Sequence, residues 1–507
     1  MNEPGLVSNV GRQARAVGFV LKSVFLLSIL MFSGIVGSVV SAQNGEPLPW
    51  EEVQKNPQGL PPRQLIHPSE LLELYGIAES QLNMLADGEA LGADDEETLV
   101  RILYKMPRFP LDALQRWAAP RLDVAAFVAA PLDHRSDAVR LVGRAKQIRQ
   151  VDLPAEIVER FEFSKYYVVT IESSDPPCRL EVCTRAVPEL WKIGTLDEPV
   201  SAMALFLKIG DSSIAPTLVF VAPRVAWHPD RIDEARFVYA DHLLLANLGM
   251  DIGLFDAVRG RNRKGIESVD SECFYQLLAA VGRAKSGQLS QAAEHDPQFG
   301  PLLQSPRTKQ GRIFSFRGTA RRVTRILVGE KDLQERFGFD HYFQVDIFVS
   351  LGDWKVRLGD PAASEDVPTF SNDYPITVCI RQLPLGMQEG DDLRQEVRVA
   401  AAYFKLWSYR SEYVSSFDKR QLQISPMLIG RELQLVETGS KRNPWVGVIA
   451  GFMFLAVIGI TWYGLWRSGR NDRRVAQEAI QRRARLSDGQ SLNDIEASDG
   501  PDFSNLG

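Results

Sequence analysis

Cysteine is scarce, with 4 in 507 residues, which is not the density of a disulfide scaffold. Histidine is nearly as scarce. His67, His134, His228, His242, His295 and His341 are the full set, and no two stand at i, i+3 or i+4 as a helical metal pair would. No CxxC pair or zinc-like spacing occurs. No GxGxxG, Walker A, GxSxG or HExxH stands where its chemistry would need it. No sign of charge dominates, since 58 Lys and Arg meet 64 Asp and Glu for a net charge of -6 and a pI of 5.7. That balance excludes the basic footprint of a nucleic-acid binder. The residues point to no cofactor and no metal, and no catalytic set is legible.

What the chain does have is one long uncharged run, Trp445 to Trp466. At about 1.5 Å per helical residue it reaches about 30 Å, the thickness of a bilayer core. Trp445 at one end and Trp462, Tyr463 and Trp466 at the other suit the membrane interface. The spacing therefore predicts a transmembrane helix over 445–466. After it come Arg467, Arg470, Arg473, Arg474, Arg482, Arg483 and Arg485, against Lys441 and Arg442 before it. The positive-inside rule then puts the tail, 467–507, in the cytoplasm and the bulk of the chain outside.

The N-terminus agrees. Arg12, Arg15 and Lys22 precede an apolar run from Val24 to Val40, and Val40-Ser41-Ala42 has the small-x-small pattern of a signal-peptidase site. Residues 1–42 read as a signal peptide, with an uncleaved signal anchor as the alternative. Residues 43–68 hold Pro47, Pro49, Pro57, Pro61, Pro62 and Pro68 and read as an extended linker.

The middle of the chain is duplicated. Leu72-Glu73-Leu74-Tyr75-Gly76-Ile77 returns as Leu245-Ala246-Asn247-Leu248-Gly249-Met250 about 175 positions later. Leu99, Ile102 and Leu103 return as Phe274, Leu277 and Leu278, each set behind an acid, Asp95 or Asp270. Gly143 matches Gly318 and interrupts a strand pattern, as a bend or bulge would. Val182-Cys183-Thr184-Arg185 matches Val378-Cys379-Ile380-Arg381. Two tandem copies follow, 69–228 and 242–437, the second with an insertion at 352–372. The expected fold class is α+β: each copy a helical hairpin plus a small five-stranded OB-like β-barrel or sandwich, with the C-terminal transmembrane helix after them.

Four basic residues recur at matched positions: Arg185 with Arg381 and Lys208 with Lys405. They are candidate ligand-facing cations, or else structural salt bridges. Cys183 and Cys379 are candidate thiols, or small core groups. Cys178 and Cys183 lie too far apart on an extended strand to bridge without a tight turn. The acids Asp94 to Glu97 read as a helix N-terminus, where carboxylates favour the dipole.

The stretch Tyr403 to Ser411, followed by Pro426-Met427-Leu428-Ile429, resembles uncharacterised single-pass envelope proteins of planctomycete-type bacteria. That resemblance implies a class and a location, the inner membrane with a periplasmic bulk, and no activity. The reading is a membrane-anchored extracytoplasmic binding or assembly protein. Its expected partners are the lipid bilayer and another envelope protein, with no nucleic acid. An envelope enzyme with an unfamiliar site, perhaps a hydrolase, is the alternative, and an OB-type nucleic-acid binder a weaker one. The insertion at 352–372 is the candidate contact surface, because loops on a rigid scaffold carry function.

Overall fold

The computed structural model describes residues 67–211, 216–358, 367–436 and 444–486. The expected signal peptide with its cleavage site, the Pro-rich linker up to residue 66, and the tail beyond 486 lie outside these residues. The chain forms two compact units, Met1–Val436 and Glu437–Gly507.

The first unit begins with helices α1 (Pro68–Leu74) and α2 (Ala93–Lys105). Leu99, Ile102, Leu103 and Met106 fall at i, i+3, i+4 and i+7, so they share one face, and all four are buried. Helices α3 (Leu111–Trp117) and α4 (Val124–Ala129) lead into β1 (Ala138–Asp152). Then come α5 (Ala155–Phe161), β2 (Lys165–Ser174), β3 (Pro177–Thr184), β4 (Gly194–Ile209), β5 (Thr217–Val221) and β6 (Ala226–Trp227). The second half repeats this order: α6 (Ala240–Asn247), α7 (Ser268–Gly282), β7 (Glu294–His295), α8 (Phe299–Gln304), β8 (Ile313–Leu327), α9 (Lys331–Phe337) and β9 (His341–Ser350). A ribbon, β10 (Val356–Arg357) with β11 (Thr369–Phe370), comes next. The half ends with β12 (Asp373–Gln382), β13 (Gln395–Tyr409), α10 (Glu412–Phe417) and β14 (Gln423–Leu435).

Each half builds one six-stranded mixed sheet. In the first the order is β1-β2-β3-β5-β4-β6, and β1 also pairs β4, so the sheet closes on itself. In the second it is β13-β14-β12-β9-β8-β7, closed by β13 on β8. One long pairing in each is parallel, β3 with β5 and β12 with β14. The expected five-stranded OB-like barrel or sandwich is therefore corrected to six strands in a mixed sheet. The added strands, β6 and β7, are two residues long, too short for any period in sequence to reveal them.

The glycine reading has a steric basis. A Cβ on Gly143 would collide with the carbonyl oxygen of Glu172, and one on Gly318 with that of Phe348. The register slips just beyond each, between Ala145 and Gln147 and between Ala320 and Arg322. Strand β1 and its counterpart β8 can thus bend across the sheet they close.

Alternation along the strands divides the core. In the first half Val169, Ile171, Leu180, Val182, Phe206 and Phe220 fill the inside of the sheet. Val168, Cys183, Leu205, Leu207, Val219 and Val221 point outward, against α1 and α2. In the second half Val345, Ile347, Val378 and Tyr403 lie inside. Tyr342, Cys379, Phe404 and Ile429 lie outside with Phe274, Leu277 and Leu278 of α7. Burial of these side chains contributes roughly 1.5–3 kcal/mol each before the entropic cost.

In the second unit, helix α11 runs from Pro444 to Leu486. The expected transmembrane helix is a second correction, since among the described residues no helix is long and apolar enough to cross a membrane. The apolar side chains described on α11 run from Gly451 to Trp466. These side chains are exposed, Phe452 at 70% and Trp462 at 78%.

Candidate functional site

The four recurring cations take up structural positions. Lys208 donates to Asp95 Oδ2 at 2.6 Å, with both side chains at or below 5% exposure. Lys405 donates to Asp270 Oδ2 at 3.1 Å, both fully buried. Each pair ties the helix that carries the acid to the strand that carries the lysine. Burial lowers the pKa of Lys405, and Asp270 opposes that shift. The acids also cap: Asp95 accepts from the backbone of Gly92, and Asp270 from that of Glu267. Neither ammonium reaches solvent. Arg185 lies over the ring of Phe163 at 4.3 Å and Arg381 over that of Phe339 at 3.9 Å. These are matched cation–π contacts, which stabilise by about 0.5–1 kcal/mol at partly exposed sites.

The thiols are core groups. All four cysteines are buried thiols. Burial pushes Cys183 far above the ordinary thiol range and raises Cys178 and Cys273 as well. A neutral thiol is a poor nucleophile and a poor metal ligand. Among the described residues no group of three or more His, Cys, Asp or Glu could hold a metal ion.

A concave surface recurs where no motif marked it. In each half a short helix follows a parallel contact with the first strand of the sheet. Ala119 bridges Val139 before α4, and β7 pairs β8 before α8. A cleft opens beside that helix in both halves. In the first half it measures about 650 Å³ and is lined by Leu122, Val124, Ala125, Val128, Pro176 and Pro216, with Arg121 and Asp123 at the rim. Asp123 is occupied, because its carboxylate accepts the backbone N–H of Ala126 as the cap of α4.

In the second half the cleft measures about 570 Å³. Its lining includes Phe299, Phe316, Phe348 and Trp354, the carboxylates of Asp296, Asp353, Asp373 and Glu396, and one guanidinium, Arg317. Glu396 accepts from the Thr319 hydroxyl at 2.6 Å and lies 3.7 Å from Arg317. Asp296, Asp353 and Asp373 have no ion-pair partner among the described residues. Trp354 presses its ring over α8 at Gly300, where any Cβ would meet that ring at 2.6 Å. The first half has Ala125 at this place in α4.

The insertion builds one wall of this second cleft. In the first half β2 and β3 are joined by a tight turn at 175–176, whereas β9 and β12 are joined by 351–372 with the ribbon inside. Residues 359–366 of that insertion lie outside the described ones. The ribbon is anchored by a chain of tilted and edge-to-face rings. Phe299 meets Tyr374 at 5.2 Å, Tyr374 meets Phe370 at 4.9 Å, and Phe370 meets Tyr413 at 5.0 Å. Each such pair adds about 0.5–1.5 kcal/mol beyond its area. The wall is thus part of the packed fold. The position of Gly352 to Asn372 in the sequence pointed here. Asp296, Glu396 and Phe316 could not have been added without the pairing of β8 with β9 and β13.

No protein-family model matches the chain, and no curated protein matches it. The resemblance to planctomycete-type envelope proteins rests on the sequence alone.

Proposed function

We propose that the protein is a non-enzymatic binding or assembly protein, attached to a membrane with its duplicated modules on the outer side, and that the cleft of the second module is its binding surface. The observation that carries this reading is the recurrence of the cleft. Duplication has kept a concave place beside α4 and α8, and the second copy has walled it with a ribbon that the first copy lacks. Pockets of roughly 300–1,000 Å³ are the size of ordinary ligand sites. Attachment is supported by the basic leader Arg12, Arg15 and Lys22 ahead of the apolar run from Val24 to Val40, which suits a signal anchor.

Two experiments test it. In the first, full-length chain is recovered from solubilised membranes with and without residues 359–366. The shortened chain keeps its melting temperature and loses its co-purifying partner. A partner retained by the shortened chain would move the contact surface elsewhere. In the second, a phosphatase reporter fused after Val436, at the end of the second module, is active outside the cytoplasm. An inactive reporter there would refute the placement of the modules.

A further inference from the structure

We propose that the second cleft takes an extended basic segment of another protein, whose lysine or arginine heads meet Asp296, Asp353 and Asp373 while their stems lie along Trp354. This deepens the binding reading above and rests on it. The groove supplies shape, and its charge selects the occupant. Four carboxylates face one guanidinium, and that guanidinium already has Glu396 beside it. The carboxylates come from four separate segments: the loop before α8, the base of the ribbon, the start of β12 and the start of β13. They do not converge on one point, and among the described residues no set could hold a metal ion. Negative charge spread along a groove complements positive charge spread along a chain. Trp354 adds the apolar half of the match. Its ring is 41% exposed beside Asp353, where an alkyl stem or a guanidinium can stack. The first cleft has the same location without this chemistry, since its lining is aliphatic and its one acid caps α4.

The test uses the full-length chain in detergent and a fluorescein-labelled peptide of alternating lysine and serine, read by anisotropy. Its counterpart of alternating glutamate and serine is the control. The basic peptide binds and weakens as salt rises, and the acidic one does not bind. The double variant Asp353→Asn with Asp373→Asn weakens binding about tenfold, and Trp354→Ala weakens it further. The double variant Glu156→Gln with Glu159→Gln removes the same charge from exposed α5 and leaves binding unchanged. All three acid-site residues are exposed or half-exposed, and unchanged melting temperatures check that the variants fold. Equal weakening by the α5 variant would overturn the proposal, as would indifference to the Asp353 and Asp373 change or failure of the basic peptide to bind. Calcium binding in place of the peptide would also overturn it. A photo-crosslinker at Ser350 separates the two levels. A membrane partner captured there and not displaced by the basic peptide removes the basic-segment inference and leaves the binding surface. Neither capture nor peptide binding removes both.

Discussion

The two clefts occupy one position in two copies of the same module, yet one is aliphatic and the other acidic and aromatic. The contacts that hold each copy together are nearly interchangeable. Lys208 with Asp95 repeats as Lys405 with Asp270, Arg185 on Phe163 as Arg381 on Phe339, and Gly143 as Gly318. Even a left-handed backbone position recurs, with Ser136 at φ 68 in one and Gly311 at φ 78 in the other. The difference teaches where the chain was free to change. Buried pairs cannot drift singly, because removing one partner strands the other away from water. A cleft wall faces water on one side, so substitutions and insertions there cost little stability.

The largest expected effect tests whether the interiors match. Asp95→Ala and Asp270→Ala each leave a buried ammonium unpaired and cost about 3–5 kcal/mol in urea unfolding. The two losses should agree to within about 1 kcal/mol. A loss confined to one copy would break the comparison.

Acid should act on both halves next. His242 is buried against the Gln310 carbonyl, and desolvation lowers its pKa to about 4. The unfolded chain takes up that proton near pH 6.5, before the folded one does. Stability is therefore complete above about pH 6.5, falls as pH drops toward 4, and loses up to about 3 kcal/mol from this one group. His228 is shifted the same way by burial. Urea titrations from pH 7 to pH 4 read the loss, and His242→Gln should flatten it. An unflattened profile would place the sensitivity elsewhere.

Smaller again is the trimming of the thiols. Cys183→Ala and Cys379→Ala should each cost about 1–2 kcal/mol, as for other small buried groups. Neither thiol should react with a bulky maleimide in the native protein. Rapid labelling of either one would show an opening of the helix–sheet contact in that copy.

The smallest effect belongs to the ribbon. Removing 359–366 should change stability by less than about 0.5 kcal/mol, because the packed rings from Phe299 to Tyr413 remain. A larger loss in thermal unfolding would make the insertion part of the core of the second copy, and the contrast between the clefts would need another cause.

Local patterns carried much of this in the sequence. Leu99, Ile102, Leu103 and Met106 mark a helix face by spacing alone, and the matched Val-Cys and glycine positions mark the strands and their bends. A buried face must repeat with the period of its element, so it leaves a trace in any single chain. What the sequence could not supply was the pairing of distant segments. Lys208 and Asp95 stand 113 positions apart, and Lys405 and Asp270 stand 135 apart. Nothing local told a ligand-facing lysine from a buried one. Two-residue strands carry no period, so the sixth strand of each sheet appeared only in the fold. The second cleft gathers Asp296, Glu396 and Trp354 from a loop, a strand start and a ribbon. Their meeting depends on β8 lying between β9 and β13, a long-range choice made by the whole core and by no stretch within it.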